Sequence, residues 1–180
     1  MTPADPRERL QPALLDRLTD ENPKASQDAG QDADVRRGMT KAQLRSAVLR
    51  DLSWLLNAVQ PLLSHEAEDY PLAARSVLNF GMPPLAGQLA SKIDMPGLTQ
   101  ALRDVILHFE PRILEHSLEI KPVEDQFFLD AHNLIEFEIR GLLWAQPVPL
   151  ELLLRTQLDL EAGQVLVRDL APTTFDGVRR

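Results

Sequence analysis

An α+β fold, with N-terminal helices packed on a small C-terminal antiparallel β-sheet, follows from three features of the 180-residue sequence. Between residues 40 and 109 apolar residues recur at steps of three and four, the spacing of one helix face. After Pro111 the step drops to two, as in a strand with one face buried. Further on, "EAGQ" separates two short alternating runs and offers Gly163 for the positive φ of a hairpin loop. Helices first and strands afterwards imply a layer of helices on one sheet face.

The elements follow in chain order. "ALLDRL", Ala13 to Leu18, has the length of about one and a half helical turns, too short to be stable alone, and so reads as a docking segment. Its leucines, Leu14, Leu15 and Leu18, either meet a partner or fold back on the body. Thr19 to Gly38 contains one Val and no other large apolar residue, so it reads as a flexible polar linker. Residues 1–39 are therefore expected to be a tail, and residues 40–180 a single domain. A first long helix should start at the cap Thr40, bury Leu44, Val48, Leu52, Leu55 and Val59, and stop at Pro61. A shorter helix should begin after Asp69 with Pro71 in its first turn, bury Val77 and Phe80, and end at Gly81. "GMPPLAG" then reads as a rigid turn.

The third helix has the clearest stripe: Leu98, Ala101, Leu102, Val105, Ile106 and Phe109, with Asp94 as its cap and Pro111 forcing its end. Strands are expected at Arg112 to Lys121, Asn133 to Trp144, Arg155 to Leu160 and Gln164 to Arg168. In the first of them Arg112 shares a face with the leucines. A sheet this small leaves edges whose unpaired backbone groups can accept a strand from another chain. Trp54 and Trp144 read as ordinary core or platform residues.

Composition narrows the function classes. The chain has 44% hydrophobic residues, enough for one core, and a net charge of −8 with a pI near 5.0. An acidic body is a poor match for a phosphate backbone, so nucleic acid is not an expected partner. No apolar run reaches the roughly 20 residues of a membrane helix, and "MTPADPRERLQP" lacks the apolar core of a signal peptide, so a cytoplasmic chain without membrane insertion is expected. There is no cysteine. The four histidines, His65, His108, His116 and His132, show no metal-ligand spacing, and no HExxH, phosphate-cradling glycine loop or GxSxG elbow occurs. No metal, cofactor or small-molecule substrate is expected.

One motif stands apart. In "FEPRI", Phe109 to Ile113, the carboxylate of Glu110 sits at a helix C-terminus, where the macrodipole opposes an anion by roughly 0.3–1 kcal/mol. Glu110 would serve as a general acid only with a second carboxylate about 5–9 Å away, which the sequence does not place. Two other readings stay open: a local clasp, in which Glu110 and Arg112 find partners within their own fold, and a contact for another protein, which suits the planar guanidinium of Arg112.

Five separated segments together resemble a known family: "LLDRL" (Leu14 to Leu18), "RSAVLRDLSWLLN" (Arg45 to Asn57), "YPLAARSVLNFGMPPLAG" (Tyr70 to Gly87), "FEPRI", and "GLLWAQPVPLEL" (Gly141 to Leu152). Their order is that of the TssE family of type VI secretion baseplate subunits, similar to the wedge protein of contractile phage tails that carries an old "tail lysozyme" label. The resemblance implies a non-enzymatic subunit at a membrane-docked cytoplasmic baseplate. It implies contacts with wedge subunits of the TssF, TssG and TssK kinds and initiation of a sheath of the TssB/TssC kind. It makes Glu110, Pro111 and Arg112 a sheath-facing assembly site, and in such an assembly Leu14, Leu15 and Leu18 are expected to dock on neighbouring wedge proteins. Polar residues Gln27 to Asp34 match nothing in the family. The competing classes are a peptidoglycan hydrolase, as the old label suggests, and a generic oligomerisation module.

Overall fold

The structure is a computed structural model that describes residues 13–18, 39–62, 68–87, 89, 92–123 and 134–170. Among the described residues, α-helices α1 (Leu14–Leu18), α2 (Lys41–Asn57), α3 (Pro71–Ala74) and α4 (Met95–Phe109) precede strands β1 (Glu119–Pro122), β2 (Leu134–Leu143), β3 (Leu150–Asp159) and β4 (Gln164–Asp169). The strands form one antiparallel sheet in the order β1-β2-β3-β4, so the expected α+β class holds. The linker Thr19 to Gly38 lies outside the described residues, as do His65 and His132.

Helix α2 begins where the sequence places it. The Thr40 side chain accepts from the Gln43 N–H while the Gln43 side chain accepts from the Thr40 N–H, a reciprocal cap that stabilises a helix start by about 1 kcal/mol. Its buried face is Leu44, Ala47, Val48, Leu52, Leu55 and Leu56. Val59 leaves that stripe: the helix ends at Asn57, and Val59 is exposed in a parallel bridge with Met82. That bridge requires Gly81, whose φ is +127° and whose added Cβ would lie 2.5 Å from the carbonyl oxygen of Ala58. Helix α4 buries Leu98, Leu102, Val105 and Ile106 against the sheet core, which includes Ile135, Phe137, Ile139, Leu152 and Leu154. Asp94 stands at its start, although the Asp94 side chain makes no capping hydrogen bond.

Three expectations change. The shorter helix after Asp69 splits into α3 and a 3-10 turn at Val77–Asn79, so Val77 faces solvent while Asn79 is buried; Phe80 is packed against the core, as expected. The strand expected from Arg112 starts only at Glu119. Six residues separate Ile113 from Glu119, but three separate their partners Leu143 and Arg140, and a 3-10 turn at Glu115–Ser117 takes up the excess. Ser117 Oγ fixes that turn, donating to the Leu114 carbonyl (2.6 Å) and accepting from the Leu142 N–H (2.9 Å). Finally, β3 begins at Leu150 rather than Arg155. The leucine run Leu152 to Leu154 hides the alternation, because Leu153 on the outer face is also apolar. The β3–β4 hairpin turns through Gly163 at φ +66°, as expected.

Candidate functional site

The Glu-Pro-Arg triplet forms the corner at which α4 hands the chain to the sheet. Proline disfavours a helical residue before it, so the helix stops at Phe109 and Glu110 becomes the C-cap, its N–H still bonded to the Ile106 carbonyl at 2.8 Å. The corner is stitched to the end of β2, since the Trp144 N–H donates to the Arg112 carbonyl at 2.7 Å and the Leu114 N–H to the Leu142 carbonyl at 2.9 Å. Arg112 is therefore not a strand residue facing with the leucines. It sits in a turn beside the next residue, Ile113, which is buried.

Glu110 is only 3% exposed, an unusual place for a carboxylate at the negative end of a helix. Arg112 makes the position tenable by a two-pronged grip: Nε donates to Oε1 at 2.6 Å and Nη2 to Oε2 at 2.5 Å. The Arg112 N–H adds a longer bond to Oε1, 3.3 Å. The sequence offers no hint of a third member. Asp51, in the middle of α2, accepts from Arg112 Nη2 at 2.5 Å, so the corner is tied to the first long helix. Burial by itself lowers the Arg112 pKa, but the hydrogen bonds and charge of Glu110, followed by those of Asp51, outweigh it and raise the pKa above the ordinary arginine value. Arg112 Nη1 is buried without a hydrogen-bond partner.

The chain of charges continues outward. The other oxygen of Asp51 accepts from Arg50 Nε (2.9 Å) and Nη2 (2.8 Å), and the same Nη2 donates to Asp16 on α1 at 2.7 Å. Asp16 is the buried side chain of α1, at 6% exposure, and also accepts from the Ala13 N–H. The apolar residues of α1 point the other way: Leu14 and Leu18 are 73% and 75% exposed, and Leu15 is 42% exposed. The helix thus folds back through its aspartate, with Leu14 and Leu18 turned outward. Arg50 also lies over the Trp54 ring, 5.1 Å from its centroid. Trp54 and Trp144 are both more than half exposed, so neither is a core residue.

Five side chains, Asp16, Arg50, Asp51, Arg112 and Glu110, therefore run in an unbroken series from α1 to the corner. The sequence isolates one end of the series, Glu110 and Arg112, and misses Asp16, Arg50 and Asp51. Asp51 and Arg50 sit 61 and 62 positions before Arg112, on a helix whose other residues signal only packing. A charged pair next to each other at the partly buried shoulder of an amphipathic helix was the available signal.

The sheet edges are less open than a four-stranded sheet suggests. On β4, the side-chain amide of Asn57 bonds both the C=O and the N–H of Val165 (2.8 and 2.9 Å), taking the place of a neighbouring strand. On the other side, the Arg103 guanidinium takes the carbonyls of Leu118 and Glu115, and Pro122 has no N–H to offer. By the alternation of an antiparallel ladder, the outward backbone groups include those of Ile120 and the Pro122 carbonyl on β1 and those of Val167 on β4.

Among the described residues no group of three or more metal-ligating side chains clusters. The described helices include none long and apolar enough to cross a membrane.

A sequence model of the family described as "Baseplate wedge protein gp25" matches residues 42–148, which include α2, α4, the Glu-Pro-Arg corner and β2. No curated protein matches the chain. Among solved structures, a chain of "The baseplate complex from the type VI secretion system" is similar at 20% identity and a TM-score of 0.41, over 64% of this chain and 94% of that one; a likeness this distant carries no weight. The family match spans more than half of the sequence and agrees with the resemblance read from its five motifs: the chain belongs to the family of the baseplate wedge protein gp25.

Proposed function

We propose that this baseplate protein is a type VI secretion subunit of the TssE kind, which joins the wedge and starts polymerisation of the contractile sheath. The observation that carries the reading is the corner itself. A buried carboxylate with both oxygens held by a neighbouring guanidinium has little left to offer a partner directly, but the pair fixes the angle between α4 and the end of β2. Glu110, Pro111 and Arg112 act as the frame of the sheath-facing surface. Removing Arg112 would leave Glu110 buried beside the negative end of a helix, which ejects it or loosens the corner.

Strand pairing at a sheet edge supplies the affinity in this reading, with backbone bonds to Ile120 or Val167 and the fixed corner setting register. Leu14, Leu15 and Leu18 dock on wedge subunits of the TssF, TssG or TssK kinds, supported by their outward placement on α1. The sheath subunits would be of the TssB/TssC kind, and the complex would assemble in the cytoplasm on a membrane-docked baseplate. The role is structural and not enzymatic. Both oxygens of Glu110, the acid a hydrolase reading requires, are held by Arg112.

Imaging of fluorescently tagged sheath in cells carrying Arg112→Ala tests the proposal, with circular dichroism of the purified variant as the folding control. Sheaths should be absent while the protein remains folded. Normal sheaths with a folded variant would return the triplet to a purely local clasp.

A further inference from the structure

The segment Tyr70 to Asn79 inverts the usual arrangement of a short helical connection. Leu72, Val77 and Leu78 are 88%, 79% and 72% exposed, and Tyr70 is 64% exposed, while the polar Asn79 is buried. Isolated exposed leucines are common on any protein, but four large apolar side chains within nine residues form a ridge.

The ridge is held rigidly. Asn79 Oδ1 accepts from the Leu62 N–H and its Nδ2 donates to the Ala74 carbonyl, both at 3.2 Å. Ser76 Oγ donates to the Ala73 carbonyl (2.8 Å) and accepts from the Leu78 N–H (3.2 Å). His108 Nε2 donates to the Arg75 carbonyl at 2.7 Å, and Phe80 packs edge-on against Phe109 with centroids 5.2 Å apart. Polar bonds thus clamp the backbone from beneath and turn the leucines outward. A pre-ordered apolar surface loses little entropy on binding, which favours a partner.

The surroundings indicate what that partner carries. Glu68 and Asp69 are exposed just before the ridge, and on its other side an open crevice between α3 and the end of α4 contains Arg75, Asp104 and Glu115. Among the described residues, four carboxylates face two arginines, Arg75 and the Arg103 whose guanidinium is turned to the Glu115 and Leu118 carbonyls, so the rim keeps a net negative charge on a chain whose net charge is already −8. From this charge pattern we infer that the ridge is a second docking surface for a protein segment that presents paired aliphatic side chains flanked by Lys or Arg. The occupant is taken to be a segment of another baseplate or sheath subunit, so the inference rests on the function proposed above. It concerns a surface apart from both the Glu-Pro-Arg corner and α1.

The test uses the full chain and overlapping synthetic peptides that tile the other baseplate subunits and the sheath subunits. Bound peptides should combine aliphatic pairs with Lys or Arg. Their affinity should fall at least tenfold for Leu72→Asp/Leu78→Asp with the melting temperature unchanged, and should weaken as salt rises. Should that variant unfold, Asp104→Asn/Glu115→Gln alters only surface charge and should weaken binding several-fold at low salt. No bound peptide, or binding indifferent to both variants, overturns the inference. Acidic or salt-insensitive bound peptides overturn the basic occupant. Sedimentation showing a wild-type dimer that Leu72→Asp/Leu78→Asp abolishes would instead assign the ridge to a second copy of this chain. Sheath imaging with Arg112→Ala reads the baseplate role without touching the ridge, so the two proposals can fail separately.

Discussion

The Glu-Pro-Arg corner and the Tyr70–Asn79 ridge break the same rule in opposite directions. At the corner a carboxylate goes inside; at the ridge leucines stay outside. Both are short connections at the end of a helix, and both depend on a buried polar side chain whose bonds decide the geometry. Glu110 is answered by a charged partner two residues away, which it shares with Asp51. Asn79 is answered by backbone groups of Leu62, before the ridge, and of Ala74, within it. The difference lies in the energy at stake. A buried charge that loses its counter-charge costs several kcal/mol, whereas a neutral amide that loses its bonds costs about 1–3 kcal/mol. The corner should therefore be the stiffer and more brittle of the two, and the ridge a milder device for display.

Four expected outcomes break or sharpen this contrast. The largest belongs to Arg112→Ala, which should lower the unfolding free energy by about 3 kcal/mol, at the low end for a buried pair because the guanidinium is partly exposed. Urea denaturation measures it, and a loss within experimental error of zero would show that Glu110 finds other partners. A double variant, Glu110→Gln with Arg112→Met, should recover part of that loss, because it removes the charge along with its partner. If the double variant is as unstable as Arg112→Ala alone, charge burial is not the cause. Next comes Asn79→Ala, expected to cost about 1–3 kcal/mol and to raise amide exchange at Leu62. Unchanged exchange there would mean that the ridge is held without Asn79. The smallest effect should be that of Leu72→Asp, within about 0.5 kcal/mol of wild type in the same denaturation assay, as for an exposed position away from special features. A loss above 1 kcal/mol would mean that Leu72 packs within its own fold and would remove the ridge from consideration.

A separate ion pair on the same helix adds a milder comparison. Arg45 on α2 holds Asp169 of β4 through Nε (2.5 Å) and Nη2 (2.6 Å), with its Nη1 on the Glu151 carbonyl at 2.6 Å. This clamp joins the same helix to the far edge of the sheet. Helix α2 therefore serves as the beam of the domain: Arg45 and Asn57 fasten it to β4, and Asp51 fastens it to the corner. The closed edge positions at Val165 and Leu118 leave few outward backbone groups, a device that limits nonspecific edge-to-edge pairing.

What the sequence determined by itself was everything governed by short range. The Thr40 and Gln43 cap, the stripe of α4, the stop at Pro111, the β2 alternation and the Gly163 hairpin all arise from residues within a few positions of each other, where helix and strand periods and backbone sterics act directly. The family motifs were legible for the same reason, as runs of neighbouring residues. Tertiary structure decided the rest. Whether Val77 is buried depends on which surface Asn79 reaches, and where β1 starts depends on Ser117 meeting the N–H of Leu142, 25 positions away. The place of Asp51 in the corner depends on a contact across 61 positions of chain. Electrostatic and hydrogen-bond partners carry no periodic signature, because a charged or amide group satisfies its partner from any distance along the chain. Pattern therefore fixed the elements, and only their packing fixed which buried polar groups found each other.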